Sequence, residues 1–169
     1  APSITETLVS LNAKDNVIGV TRFCDQDMFS SSVPIVGGFI DADIEKIVSL
    51  EPSSVFLSPN AGTLKIKEAL EGLSISTKFF TFYTINDIKD VFLRVGSLLD
   101  RENEARTLHD EIAQFEKELT AMREGKAPPR VLMVRSSEPL YVAGQGSYAD
   151  SVMRACMAEN VVIEHKRYV

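Results

Sequence analysis

The stretch Arg101 to Glu124, RENEARTLHDEIAQFEKELTAMRE, contains neither Gly nor Pro. Within it Ala105, Leu108, Ile112, Phe115, Leu119 and Met122 recur at spacings of three and four, which lines them along one stripe of an α-helix. A helix of roughly 24 residues is about 36 Å long at 1.5 Å per residue, too long for a crossover helix in a small α/β unit. The run Gly125 to Pro129 ends it, since Gly and Pro punctuate a helical pattern. The stripe is expected to be buried, either against the chain's own lobes or against a second copy. A coiled-coil dimer is the competing account, and three heptads with mixed flanking charges support it only thinly.

Upstream of this rod lie short apolar runs: Val17 to Val20, Val55 to Leu57 and Phe79 to Tyr83; downstream lies Val131 to Val134. They are continuous rather than alternating, as in strands covered on both faces. Helix signals separate them. Ser3-Ile4-Thr5-Glu6 reads as a capping box opening a helix to about Asn12; Thr84 to Asp87 and Ser147 to Asp150 repeat the pattern. Asp43 caps a short helix through Leu50, which Pro52 stops, and a further helix runs from Thr63 to Glu71 with Gly72 as its left-handed terminator. Strands alternating with helices predict an α/β fold with a parallel sheet. The order is therefore a Rossmann-like α/β lobe over residues 1–100, a backbone helix over 101–126, and the opening of a second, incomplete α/β lobe over 127–169.

The chain has 169 residues, 44% hydrophobic and 25% charged, with a formal net charge of -6. That composition belongs to a globular chain. The uncharged stretch Met28 to Ile40 is interrupted by Ser, Pro and Gly and falls short of the roughly 20 apolar residues of a membrane span. No basic block stands out, and holding a duplex with one charge per about 1.7 Å requires one; nucleic acid is excluded as a partner. Cys24 and Cys156 are isolated and read as small buried hydrophobes. No basic segment followed by an apolar one marks a secretion signal, so the protein is either cytoplasmic or numbered from after signal removal.

Catalytic patterns are missing: no phosphate-cradling GxxxxGK[ST], no GxGxxG, no GxSxG and no HExxH. His109 and His165 stand alone, without metal-ligand spacing. No catalytic residue and no metal site is expected. Two glycine loops, Val36-Gly37-Gly38-Phe39 and Gly144-Gln145-Gly146-Ser147, each precede a helix; they either offer amides to an anion or simply let the chain turn.

Taken in order, Pro2 to Glu6, Val17 to Thr21 with Cys24-Asp25, Val36 to Phe39, Ile44 to Pro52, Arg130 to Leu132 and Leu140 to Gly144 resemble the substrate-binding proteins of ATP-driven (ABC) importers for cobalamin, haem and ferric siderophores. The resemblance covers nearly the whole chain and implies two α/β lobes joined by one rigid helix that hinges little, with the ligand between them. It places Pro2, Ser3, Arg22, Phe23 and Phe39 on the first lobe, and Arg135 and Ser136 on the second, at the ligand. An aromatic ring face suits a corrin or porphyrin face, although core packing competes as a role for Phe23 and Phe39. By the same resemblance Glu45 meets basic residues of the membrane permease, where a carboxylate gives directional, charge-assisted contacts; alone, it would be a solvated helix residue.

The resemblance further implies a protein that is not an enzyme, has no covalent cofactor and works outside the cytoplasmic membrane, periplasmic or anchored at the cell surface. Cobalamin is favoured over haem or a ferric siderophore, because two Phe and few cations, chiefly Arg22 and Arg135, suit a strongly anionic catecholate poorly. Departures are visible. The family usually has a strand immediately before Pro2, Ser53 and Ser54 replace an Asp and an apolar residue, and Ala155 to Ala158 replace a glycine-rich helix end. A full second lobe would need about 100 residues beyond Val169, so the chain is expected to be a fragment or a truncated relative. If it is complete, its open sheet edge should pair with another copy. The alternative reading is an intracellular α/β regulatory domain dimerising through the long helix; an enzymatic reading comes last, since fold alone does not supply the missing residues.

Overall fold

The computed structural model describes residues 1–29, 31–60 and 62–164; His165 lies outside the described residues. The architecture is α/β, and the chain folds as two compact units, one of Ala1–Thr81 with Arg94–Ala105 and the other of Phe82–Leu93 with Arg106–Val169.

The first unit opens with α1 (Pro2–Ser10), in which Pro2 occupies the first helical position. There its missing N–H costs nothing and its fixed φ is already helical. This start displaces the expected capping box. No side chain caps α1, and Ser3 lies inside the helix with its carbonyl accepting from Thr7 Oγ1 at 2.8 Å. By contrast α2 (Ile44–Ser49) is capped as expected, Asp43 Oδ1 accepting the Lys46 amide at 2.9 Å. Parallel strands β1 (Val55–Leu57) and β2 (Thr77–Phe79) pair from Val55 opposite Thr77 to Leu57 opposite Phe79. Between them runs α3 (Thr63–Gly72). Gly72 is still helical, and the left-handed residue is Ser74, φ +62°; the helix stops near the expected place by a different residue.

Two expected strands are shorter than their apolar runs. Within Val17 to Val20 only Val20 bridges, to Ile35, because the partner segment turns away at Gly37, φ +108°. The run from Phe79 leaves the sheet after the Phe80 amide reaches Leu57 O at 2.9 Å. The Tyr83 and Thr84 amides then turn to Asp87 Oδ2, each at 2.9 Å, while Thr84 Oγ1 accepts the Asp87 amide at 3.0 Å. That reciprocal box opens α4 (Ile85–Leu98). The same chain segment cannot serve both a ladder and a cap, and the cap wins.

Buried side chains among the described residues of the first unit include two clusters. Val20, Cys24 and Val33 pack with Val17 and Phe29; Ile47, Ile66 and Leu70 pack with residues that include Val36, Val55 and Leu57. The turn from α4 into α5 (Glu102–Arg123) closes on Gly96, where a Cβ would stand 2.5 Å from Ala105 Cβ and 2.9 Å from Arg101 O.

In the second unit β3 (Arg130–Val131) pairs in parallel with β6 (Glu159–Asn160), and β4 (Val134–Ser137) forms an antiparallel hairpin with β5 (Leu140–Val142). The run Val131 to Val134 is therefore two strand ends rather than one buried strand, and Leu132, Met133 and Val134 are exposed. Helix α6 (Tyr148–Ala155) is capped as expected by Ser147 Oγ, which accepts the Asp150 amide at 3.1 Å.

The stripe on α5 departs from expectation along its length. Ala105 is fully buried, Leu108, Ile112 and Leu119 are half-buried, but Phe115 is 59% and Met122 68% exposed. Helical periodicity aligns these residues on one face; only neighbouring elements can cover that face, and among the described residues Phe115 and Met122 stay largely uncovered.

Candidate ligand-binding site

Glycine builds the site in the first unit. A Cβ on Gly37 would lie 2.4 Å from Asp41 O, and one on Gly38 would lie 2.3 Å from both Arg22 Nη1 and Asp41 Oδ1. Without side chains at these positions, the segment after Val20 and the turn of residues 37–42 approach closely. Their backbones are joined by the Arg22 amide donating to Gly37 O at 2.9 Å, below the Val36 amide donating to Val20 O at 2.8 Å. An antiparallel bridge, Gly37 to Ala42, returns the turn on itself.

Across that junction the Arg22 guanidinium makes two hydrogen bonds to Asp41, Nη1 to Oδ1 at 3.2 Å and Nη2 to Oδ2 at 2.7 Å. The donated hydrogen bonds hold the Asp41 carboxyl below its ordinary value of 3.8 and raise the guanidinium in turn. Next in sequence on each arm, the rings of Phe23 and Phe39 stack with centroids 4.7 Å apart and planes 8° apart. Arg22 Cζ lies 5.8 Å from the Phe23 centroid. Yet Phe23 is 52% and Phe39 41% exposed. The rings stack on each other while about half of each stays uncovered.

Of the residues singled out from sequence, the fold brings Arg22, Phe23 and Phe39 together. Pro2 and Ser3 open α1, which is tied to the same loop through Cys24: its sulfur lies 3.2 Å from Thr5 Oγ1 and 3.3 Å from Thr21 Oγ1. Cys24 is thus buried as expected, whereas Cys156 is exposed at the end of α6. Arg135 and Ser136 belong to β4 of the second unit, where Ser136 Oγ donates to Glu138 O at 3.4 Å. Glu45 is exposed in the first turn of α2. Asp41 was not legible as a site residue. The signal was the glycine pair four and three residues before it, which permits the turn that returns it to Arg22.

The glycine loops are turn-makers. At the second, the Gly146 amide that would face an anion is taken by Asp150 Oδ2 at 3.1 Å. Asp150 is buried and also accepts from Arg154 Nε at 3.0 Å and Asn160 Nδ2 at 3.1 Å. Burial pushes its carboxyl up, but the Gly146 amide, Asn160 and Arg154 outweigh this and hold it below 3.8.

Phe39, with Ile18, Val20, Val55 and Leu57, lines a half-open pocket of about 280 Å³ in the first unit. That volume lies just under the range of about 300–1,000 Å³ for pockets that take drug-sized ligands. Among the described residues no group of three or more His, Cys, Asp or Glu is placed to hold a metal ion, and no helix is long and apolar enough to cross a membrane.

Comparison with known proteins places this geometry. The chain is 24% identical over 149 residues to the vitamin B12-binding protein of Salmonella typhimurium, covering 88% of this chain and 56% of that one. It is 23% identical over 166 residues to the vitamin B12-binding protein of Salmonella typhi, covering 98% and 62%. The chain thus spans little more than half the length of these relatives. In structure it is similar to the periplasmic vitamin B12 binding protein of Vibrio cholerae, TM-score 0.84 at 19% identity, over 100% of this chain and 67% of that one. It is also similar to a periplasmic heme binding protein from Pseudomonas aeruginosa, TM-score 0.81 at 20% identity, over 99% and 62%. The profile of one family, described as periplasmic binding protein, matches residues 1–168, and the chain belongs to that family.

Proposed function

We propose that the protein is the ligand-capturing component of an ABC importer, acting outside the cytoplasmic membrane and handing a metal chelate to the permease without chemical change. The observation that carries this reading is the stacked pair Phe23–Phe39, exposed yet fixed by the paired glycines and the Arg22–Asp41 ion pair. An apolar planar surface held rigid in water presents a prepared face to a flat macrocycle, which then loses less ordering entropy on binding. Named B12- and heme-binding relatives support the choice of chelate, with cobalamin favoured over haem and a ferric siderophore last. By the same reading Pro2 and Ser3 belong to the ligand surface of the first unit and Arg135 and Ser136 to that of the second, and exposed Glu45 docks on basic residues of the permease.

Equilibrium titration with cobalamin, haemin and a ferric siderophore tests it. Saturable binding of at least one, weakened about tenfold or more by Phe23→Ala, is expected, since truncating a central aromatic anchor commonly costs at least about 1.4 kcal/mol. No saturable binding of any of the three would sink the reading. A second reading, self-association through α5, rests on the exposure of Phe115 and Met122. Sedimentation equilibrium separates it: a concentration-independent monomer removes it.

A further inference from the structure

The loops that carry the stacked rings, residues 21–29 and 37–43, hold four carboxylates, Asp25, Asp27, Asp41 and Asp43, against a single cation, Arg22. That cation already has a partner. Both terminal nitrogens of Arg22 donate to the two oxygens of Asp41, at 3.2 and 2.7 Å, and the pair sits over Gly38, where any Cβ would collide with both side chains. A guanidinium engaged on both nitrogens by a carboxylate offers an incoming anion little of its charge, and the fork geometry that favours Arg for carboxylates is already satisfied internally.

Resting on the proposed ligand site, we infer that Asp41 is its specificity-determining residue: by engaging Arg22, it makes the aromatic face select macrocycles whose periphery is uncharged over those bearing carboxylates. Of the other loop carboxylates, Asp25 and Asp43 are engaged with the backbone as caps, accepting the Asp27 and Lys46 amides, which leaves Asp41 as the carboxylate paired with the cation beside the rings. Affinity comes from the ring face, and discrimination comes from the charge beside it. Removing the Asp41 charge while keeping its shape frees a guanidinium within reach of whatever lies on Phe23, and the preference should move towards carboxylated ligands. Removing Arg22 instead leaves the Asp41 carboxylate uncompensated and should move it the other way.

The test uses haemin and haemin dimethyl ester, one macrocycle with its two carboxylates free or masked, titrated by fluorescence quenching or absorbance into the wild-type chain, Asp41→Asn, Arg22→Gln and Phe23→Ala. Wild type is expected to prefer the ester. Asp41→Asn should shift the haemin-to-ester affinity ratio about tenfold towards haemin, the size of one charge-assisted contact, and Arg22→Gln should shift it away from haemin. Because the two variants act in opposite directions, loss of folding in one does not imitate the pattern. If wild type binds both forms, Phe23→Ala weakens both, and neither charge variant moves the ratio by more than twofold, the role of Asp41 is overturned and the site stands. If wild type binds neither form, nor cobalamin, the site itself is wrong and the inference falls with it.

Discussion

Both units expose apolar side chains, and they do so in different ways. In the first, Phe23 and Phe39 are exposed at the tips of two loops bound together by backbone hydrogen bonds, a bidentate ion pair and two glycines that let the arms close. In the second, Phe115, Met122, Leu132, Met133 and Leu140 lie exposed along α5 and the β3 to β5 surface. Phe115, Met122 and Leu140 belong to regular elements and Leu132 and Met133 to the link between β3 and β4, with no stacked ring among them. Exposed apolar surface mostly marks a place for a partner or ligand. What the contrast teaches is that rigidity, rather than exposure, distinguishes the ring pair as a prepared surface: its neighbours hold it in one geometry before anything binds.

Substitutions can break this contrast at graded cost. The largest effect is expected at Leu70, fully buried in the cluster of Ile47 and Ile66 beneath the first unit's loops. Leu70→Ala should cost about 2–5 kcal/mol in denaturant unfolding, through lost burial and the cavity left behind. A cost under about 1 kcal/mol would mean that the core beneath the ring pair is not close-packed.

Asp150 comes next, and it shows that the second unit has a rigid part as well. Its carboxylate joins the Gly146 amide, Asn160 and Arg154, and its native pKa lies below the ordinary 3.8. Below 3.8 the unfolded chain therefore binds more protons than the native one. The stabilisation is complete above that value and is lost as pH falls through the lower native pKa. Asp150→Asn should cost about 2 kcal/mol at neutral pH, the scale of hydrogen bonds to a buried charge, and the gap to wild type should narrow in that acid window. A gap that stays constant down to the wild type's acid transition would rule out the ionised carboxylate as its source.

The smallest effect is expected at Phe115. Buried, it would cost about 3–5 kcal/mol to truncate; at 59% exposure, Phe115→Ala should change stability by less than about 0.5 kcal/mol, as surface substitutions do. A larger loss that depends on protein concentration would reveal a partner copy on that face.

Much of the local structure was legible because its causes are local. Asp43 and Thr84 cap the helices that their spacing announced, and the Gly- and Pro-free run from Arg101 became a helix of 22 residues. Ser3 misled because Pro2 is the stronger start signal. Val17 to Val20 misled because a strand needs a partner, and the partner segment turns at Gly37. Phe23 and Phe39 were marked by resemblance, but nothing in their spacing announced a stack of 4.7 Å. Arg22 read as one of the two main cations at the ligand, and its pairing was not announced because Asp41 stands 19 positions away.

The amino-acid order by itself determined where helices start, where chain turns are cheap, and the α/β rhythm, since capping, backbone freedom and periodicity act over a few residues. Tertiary structure alone decided which face of α5 is covered, which apolar runs become strands, and that Arg22 meets Asp41 beside two bare rings. Those outcomes depend on which distant segments come into contact, and contact between distant segments is a property of the folded chain.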